Sequence, residues 1–454
     1  MSPIPSERIH ILNDHMVREG AYVLYWMQQS QRADDNHALE YAAQKANDQD
    51  RPLLVCFGLL DDYPEANLRH YTFMLEGLKK TGMKLAERRI KLLVRQGNPP
   101  DVALELGDKA GLIVCDRGYL RHQRGWRKTV ARKAKCRVVE IEADCIVPVE
   151  TVSDKREYAA RTIRKKLHQH LLDFLQCPEP VRLKKSSLTL HETGLALDDI
   201  QALCAKLSID RSVPPVSDFF RGRTSEAHQM FNAFLRSGFS RYEQNSNQPQ
   251  TDDVSHMSPY LHFGQISPVR LIIEAQRSMS QGDFQSYVEQ LLVRRELSFN
   301  YVWFEPGYDR FSSLPDWALH TLDSHKEDKR PARYTRTELD QARTHDPYWN
   351  AAQKEMVITG YMHNYMRMYW GKKILEWSNT PSYAFQTALA LNNKYFLDGR
   401  DPNSYANVAW IFGLHDRPFQ ERPVYGKVRP MTARGLERKC DIRAYVEKVE
   451  QLGS

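Results

Sequence analysis

Residues 1–150 alternate short apolar runs with longer segments of mixed polarity. The apolar runs, rich in β-branched and aromatic residues, lie at 21–27, 52–60, 91–97, 111–116 and 137–148. Helical periodicity is found between them, most clearly at 36–48 and 68–89. Near-continuous apolar strands that alternate with helices are typical of a parallel sheet covered on both faces. The pattern therefore predicts a doubly wound α/β domain with right-handed crossovers.

The pattern changes after residue 150. A basic helical segment leads into a proline-containing linker, and from about 215 helical periodicity dominates, broken by turn signals such as DGRDPN. A chain of 454 residues is also too long for one compact core. We therefore predict an α/β domain, a linker and an all-α domain, at 1–175, 176–215 and 216–454.

Composition narrows the functional classes. No apolar stretch approaches the roughly 18 residues of a membrane helix, and the N-terminus lacks the apolar core of a signal peptide, so we expect a cytoplasmic protein. Seven cysteines without C-x-x-C spacing argue against a disulfide framework or a zinc site. The α/β region contains neither G-x-G-x-x-G after its first strand nor G-x-x-x-x-G-K-[ST], which argues against conventional binding of a nucleotide phosphate there.

The net charge of +7 is concentrated in clusters. Lysine and arginine are dense at 117–137, 161–170 and 422–439, and the first of these contains no acidic residue. Clusters of this kind suit a polyanion such as DNA, although a solvated helix face is the alternative for each.

The segment GYMHNYMRMYWGKKILEW, residues 360–377, is unusually rich in aromatic residues. As a helix it places Trp370 and Trp377 on one face, two turns apart, and Asn364 and Arg367 on a second stripe. On spacing alone, such a tryptophan pair is more typical of a core seam than of electron transfer.

Two further segments concentrate polar groups. LNNKYFLDGRDPNSYANVAW contains Asn392, Asp398 and Asp401, which suit either a site or a tight turn. SHMSPYLHFGQISP places Ser255 and Ser258 near a predicted helix start, where hydroxyls and free N–H groups suit phosphate, although a plain N-cap would explain Ser258 equally well.

These three segments and THDPYWNAAQKEM resemble the flavin-binding helical domain of the photolyase/cryptochrome family, in particular the class II cyclobutane pyrimidine dimer photolyases. YVLYWMQQSQRADDNHALEYA is similar to the same class, so the resemblance covers nearly the whole chain. It implies an α/β domain joined to a helical domain that binds FAD, with reduced FADH⁻ as the active form. Members of this family can also carry an antenna chromophore, such as a deazaflavin or a folate. The residues of this chain do not show whether one is present or which it is.

The resemblance also implies roles for individual residues. Around the FAD phosphates and ribityl chain it places Tyr242, Ser255, Met257 and Ser258, although Val254 stands where the family often has threonine. It places Arg367 and Asp398 beside the isoalloxazine ring and Asn392 opposite its N5, and it assigns Asn364, Gly399 and Asp401 to the cofactor site as well. The implied electron-transfer chain runs outward from the flavin through Trp370, Trp349 and Trp377.

The implied substrate residues are Asn364 at the flavin–lesion boundary and Trp410 packed on a flipped-out dimer. Gln290 stands where the family tends to have glutamate, unless the register slips by one and Glu289 takes that place. Arg294 and Arg429 are further candidates for contacts with DNA.

The resemblance implies a deoxyribodipyrimidine photo-lyase, a carbon–carbon lyase that uses light to repair dimers in double- or single-stranded UV-damaged DNA. We expect it to act as a monomer without a membrane partner. The alternatives are a blue-light receptor that signals to a protein and a light-independent flavoprotein that binds nucleic acid. Trp410 and Asn364 favour repair.

Overall fold

The computed structural model describes residues 4–278 and 281–453. The chain forms two compact units, the first from Met1–Asp154, Lys165–Phe231 and Met257–Arg277, and the second from Lys155–Arg164, Asn232–His256 and Ser278–Ser454. These units differ from the predicted domains because the chain passes between them several times. Segment 257–277, predicted within the all-α domain, belongs to the first unit, and 155–164 belongs to the second.

The first unit contains a six-stranded sheet in the order β1-β6-β5-β2-β3-β4. The strands are β1 Ile9–Ile11, β2 Tyr22–Trp26, β3 Leu53–Leu59, β4 Lys91–Gln96, β5 Ala110–Asp116 and β6 Arg137–Ile141. Strands β2 to β6 are parallel, and β1 pairs antiparallel with β6 at the edge. The predicted α/β class is confirmed. Strand β1 was missed because three residues are too few to show a period.

In the first unit one α-helix follows each of the strands β2 to β5, and the second unit is mainly helical. The α-helices are α1 His37–Asp48, α2 Leu68–Glu87, α3 Pro99–Gly107, α4 Arg121–Lys133, α5 Val149–Val152, α6 Ala160–Phe174, α7 Ile200–Lys206, α8 Thr224–Ser237, α9 Tyr242–Asn245, α10 Ser258–His262, α11 Pro268–Arg277, α12 Gln281–Val288, α13 Arg295–Phe304, α14 Asp316–Ser324, α15 Arg336–Asp340, α16 Pro347–Thr359, α17 Asn364–Trp377, α18 Pro381–Tyr395, α19 Pro402–Ile411, α20 Ala433–Glu437 and α21 Ile442–Gln451. A π-helical turn, Glu289–Arg294, joins α12 to α13, and 3₁₀ turns lie at Ser6–Arg8, Phe239–Arg241 and Phe311–Ser313.

Alternate side chains of β2 enter two separate cores, one on each face of the sheet. Val23 and Tyr25 pack with residues of α1, whereas Leu24 and Trp26 pack with residues of α3 and α4. Both faces are therefore apolar, which is why the strands read as continuous apolar runs. Within the described ranges, no helix is long and apolar enough to cross a membrane.

The basic segment 117–137 includes two arginines that are buried in the first unit. Arg117 pairs with Glu140 at 2.8 Å and with Glu142 at 2.9 Å, and Arg127 pairs with Asp116 at 2.8 Å. Carboxylates inside the fold neutralise these two charges. The two arginines therefore belong neither to a surface that binds a polyanion nor to a solvated helix face. Buried arginines persist where carboxylates pair with them.

Candidate active site

A cavity of about 510 Å³ opens in the second unit, within the size range of ligand sites. Its walls come from α17, α18, α19, the π-helical turn and the chain after α19. The structure brings eight predicted site residues to this one cavity: Gln290, Arg294, Asn364, Arg367, Trp370, Asn392, Trp410 and Arg429. Gln290 and Arg429, 139 positions apart in the sequence, therefore line one space.

Three helices of this unit begin with the same two-residue capping motif. A polar N-cap followed by proline starts α16 at Asp346, α18 at Thr380 and α19 at Asp401, and each cap side chain accepts a backbone N–H of the first turn. Proline at the first helical position loses no hydrogen bond, and the cap satisfies a free donor. These caps fix the starts of the helices that carry Trp349, Asn392 and Trp410.

Helix α17 begins at Asn364, not at residue 360 as the pattern predicted. Gly360 adopts φ 75°, a left-handed conformation that glycine tolerates, and ends α16. His363 then caps α17, because its Nδ1 accepts the backbone N–H of Tyr365 at 3.2 Å. Asn364 consequently lies at the exposed start of the helix, and Trp377 lies at its buried end.

The guanidinium of Arg367 is held entirely by protein groups. Its Nη1 and Nη2 donate to the two oxygens of Asp398 at 3.1 and 3.0 Å, and its Nε donates to the carbonyl of Met362 at 3.0 Å. Its Cζ lies 4.0 Å above the ring of Phe396. A bidentate pair of this kind fixes geometry as well as charge. The structure thus sets an oriented cation at the inner wall of the cavity.

Asn392, on α18, is buried beside the same wall. Its Nδ2 donates to Oδ1 of Asn393 at 3.0 Å, and that oxygen also accepts the backbone N–H of Arg400 at 2.9 Å. A Cβ at Gly399 would lie only 3.0 Å from the carbonyl oxygen of Asn392. Gly399 and Asp401 hold the turn and the start of α19, and neither lines the cavity.

The three predicted tryptophans form a connected set that starts at the cavity. Trp370 lines the cavity, and its Nε1 donates to Oε1 of Gln353 at 2.8 Å. The Nε1 of Trp349 donates to the carbonyl of Trp370 at 2.9 Å, and the rings of Trp349 and Trp377 lie edge to face with centroids 5.7 Å apart. All three indoles are buried.

The π-helical turn determines which side chain reaches the cavity. Gln290 lines it, whereas Glu289 does not and instead binds Arg164 at 2.8 and 2.9 Å and Arg294 at 3.0 Å. Although burial alone raises the pKa of Glu289, hydrogen bonding from Arg164 and the charge of Arg294 bring that pKa below its ordinary value. Arg294 in turn lies 5.2 Å above the ring of Trp410. π-Helical turns recur at functional sites because they redirect side chains.

The four residues predicted around the FAD phosphates and ribityl chain do not line this cavity. Tyr242 is buried among aromatic rings, with Phe234 at 5.7 Å and Tyr287 at 5.5 Å, and burial raises its pKa. Ser255 is half-buried in the second unit. Met257 and Ser258 belong to the first unit, where α10 starts at Ser258 and Met257 occupies the cap position. The N-cap reading of Ser258 is therefore wrong.

The cavity also contains polar residues that the sequence did not reveal: Asn247, Ser404, Asn407 and Lys439. Ser404 and Asn407 stand three residues apart along α19, and Trp410 follows after three more, so helical spacing from Trp410 was an available signal. Asn247 and Lys439 are in turns without periodicity, and nothing local marks them.

Comparisons with known proteins agree with this arrangement. The sequence model of the DNA photolyase family matches residues 23–184. The deoxyribodipyrimidine photo-lyase of Methanothermobacter thermautotrophicus is 47% identical over 450 residues, covering 99% of each chain. That of Potorous tridactylus is 37% identical over 452 residues, covering 98% of this chain and 84% of its own.

Solved structures show the same fold at low sequence identity. A class III photolyase from Agrobacterium tumefaciens gives a TM-score of 0.74 at 16% identity, with 95% of this chain and 86% of that chain covered. An archaeal photolyase from Sulfolobus tokodaii, solved with two FAD molecules, gives 0.70 at 14% identity, with 94% and 89% covered. Both support the two-part α/β and helical architecture.

The chain belongs to the DNA photolyase family. The predicted enzyme class is confirmed, and the chain is a flavin-dependent lyase of DNA photorepair. The cavity fits FAD in its chemistry, because an oriented cation, a buried amide and aromatic walls together suit an anionic, planar heterocycle.

Proposed function

We propose that this enzyme splits cyclobutane pyrimidine dimers in UV-damaged DNA with light, as a class II photolyase. The observation that carries the proposal is the single cavity. It joins the predicted flavin residues Arg367 and Asn392 to the predicted lesion residues Gln290 and Trp410. A flavin against the first set and a flipped-out dimer against the second would therefore lie next to each other.

The inner wall would hold the isoalloxazine ring. Arg367, kept in place by Asp398, stabilises negative charge on the ring, and the amide of Asn392 can donate or accept at N5. When bound and reduced, FAD supplies the electron that light drives into the dimer, and the protein supplies position and electrostatics. Tyr242, Ser255, Met257 and Ser258 remain our candidates for the phosphates and ribityl chain.

The outer wall would receive the dimer. Trp410 offers an aromatic face, and stacking on such a face stabilises a base by roughly 1–3 kcal/mol. Asn364 and Gln290 are exposed and offer amide donors and acceptors to the pyrimidine edges. Flipping costs least for a damaged, poorly stacked pair. Arg294 and Arg429 would hold phosphates, which makes binding dependent on salt.

The tryptophans would serve activation and not repair. An electron that moves inward from Trp377 through Trp349 to Trp370 can restore the reduced cofactor in light. The contacts between these residues support this order. We further propose that the enzyme is a cytoplasmic monomer, and a deazaflavin and a folate remain our candidates for an antenna chromophore of the α/β domain.

The proposal is tested on purified enzyme and an oligonucleotide with one cyclobutane dimer. We expect intact pyrimidines to return only when reduced enzyme is illuminated, with the dark sample as control. Full reduction and light without loss of dimer would contradict the repair function and favour a blue-light receptor. The chromophores released on denaturation identify any antenna from their absorption spectrum.

A further inference from the structure

The aromatic path of the second unit continues past Trp377. The ring of Tyr334 lies edge to face with Trp377 at 5.3 Å, and the ring of His345 lies at 5.3 Å from the same indole. Tyr334 and His345 stack on each other with centroids 6.0 Å apart. Trp377 is only 1% exposed, whereas Tyr334 is half-buried and His345 is exposed. The buried tryptophan is thus linked to the surface by this pair.

The hydrogen bonds of Tyr334 prepare its phenol to lose a proton. Its Oη lies 2.6 Å from Nδ1 of His345 and accepts the backbone N–H of His345 at 2.9 Å. In the Nε2–H tautomer of His345, Nδ1 is an acceptor, and the phenolic hydrogen of Tyr334 then points at it. A neutral imidazole accepts a proton at that nitrogen when its own hydrogen is on Nε2.

Trp377 is poorly placed to keep a positive charge. The Nζ of Lys373 lies 5.7 Å from the centre of its ring and pairs with Glu376 at 2.5 Å, so the carboxylate nearby is already bound to a cation. A buried indole also has no direct exchange of its proton with bulk water. Tyr334 avoids both difficulties, because it loses its proton to His345 as it loses its electron and therefore stays neutral.

We propose that Tyr334 and His345 form a proton-coupled last step of the electron path. Tyr334 gives one electron to the oxidised indole of Trp377 while its O–H bond breaks and an N–H bond forms at Nδ1 of His345. Trp377 returns to its neutral closed-shell form, and the products are a neutral tyrosyl radical and an imidazolium. The oxidant is a photoexcited, oxidised flavin acting through Trp370 and Trp349, so the inference rests on the proposed function. An added thiol then reduces the tyrosyl radical.

The test is flash photolysis of holoenzyme that contains oxidised flavin, with the radicals identified by optical and electron paramagnetic resonance spectra. We expect a tyrosyl radical in the wild type, and a long-lived tryptophan radical in its place in Tyr334→Phe. Because the step moves a proton, the tyrosyl radical of the wild type should form more slowly in D₂O than in H₂O. His345→Gln should slow formation of the radical and remove this difference between the two solvents. Tyr383→Phe is the matched control, since Tyr383 is another half-buried tyrosine of this unit that stacks under Arg336. Trp370→Phe should remove both radicals.

A tryptophan radical as the last species of the wild type, or a tyrosyl radical that survives in Tyr334→Phe, would overturn the inference. Repair of dimers by chemically pre-reduced enzyme does not use this path and is measured in parallel. A tyrosyl radical that depends on Tyr334 in an enzyme that fails to repair dimers would contradict the proposed function while supporting this step. Normal repair by an enzyme that forms no tyrosyl radical would support the proposed function and contradict the step at Tyr334.

Discussion

The two walls of the cavity are built on opposite principles. On the inner wall each side-chain nitrogen of Arg367 donates to a protein oxygen, and Asn392 is buried and donates to the side chain of Asn393. On the outer wall Asn364 and Gln290 are exposed, and neither makes a side-chain hydrogen bond within the described part of the chain. A group that protein partners already hold keeps its position and orientation for whatever binds beside it. A group with free donors and acceptors can bind what arrives from solvent.

This difference suits a permanent cofactor inside and a transient substrate outside. Preorganised charge costs no rearrangement during a reaction, whereas exposed amides can exchange water for a base edge. The four predictions below test the two walls separately, from the largest expected effect to the smallest.

Arg367→Leu should have the largest effect. It leaves the buried carboxylate of Asp398 without a partner, which typically costs about 3–5 kcal/mol in the free energy of unfolding, and it removes the charge that favours the reduced flavin. Urea unfolding and the flavin content after purification measure both effects. Arg367→Leu combined with Asp398→Leu should recover most of the stability but not the flavin. A single variant that retains full stability and flavin would contradict the role of the inner wall.

The fold that supports the inner wall should also lose stability as pH rises. Glu355 accepts hydrogen bonds from Tyr445 at 2.6 Å and from the backbone N–H of His363 at 3.3 Å, just before α17, and burial raises its pKa to about 7. Because the folded state holds this proton more tightly, its contribution is complete below about pH 4.5 and is lost as pH rises through about 7, which amounts to about 3 kcal/mol.

Glu355→Gln should remove this dependence. We expect the free energy of unfolding of the wild type, relative to the variant, to fall between pH 5 and pH 8. Glu437→Gln, which removes an exposed carboxylate of the same unit, serves as the control. Parallel pH profiles for wild type and Glu355→Gln would show that Glu355 does not hold the proton.

Trp410→Ala should weaken the outer wall alone. Loss of the stacking face should cost roughly 1–3 kcal/mol in affinity for dimer-containing DNA and leave flavin content unchanged. Binding to undamaged DNA, which depends on phosphate contacts, should change little. Trp410→Phe should retain most of the affinity, as measured by fluorescence anisotropy. Equal losses for damaged and undamaged DNA would mean that Trp410 does not contact the lesion.

Gln290→Glu should produce the smallest change, a gain. A carboxylate at this position can share a proton with the dimer during splitting, so the number of dimers repaired per absorbed photon should rise by less than tenfold, an effect of about 1 kcal/mol. Glu289→Gln is the matched control, since it removes the neighbouring carboxylate that binds Arg164 and Arg294. A yield that drops in Glu289→Gln and stays constant in Gln290→Glu would favour the shifted register.

The parallel strands could be predicted because burial on both faces leaves a continuous apolar run, as at Leu53–Leu59. Eight cavity residues could be named in advance because of the resemblance to the photolyase family, whose motifs most of them lie in. The passage of 257–277 into the first unit could not be predicted, since apolar periodicity does not say which core a helix enters. Nor could the burial of Arg117, because its glutamate partners lie more than twenty residues away on a neighbouring strand and the segment that follows it.

The most direct test of the two-wall cavity is a crystal structure of the enzyme with FAD and dimer-containing DNA. We expect the isoalloxazine ring against Arg367 and Asn392, and the flipped-out dimer between that ring and Trp410, within reach of Gln290. A dimer that remains stacked in the duplex, or a flavin bound away from Arg367, would contradict this account.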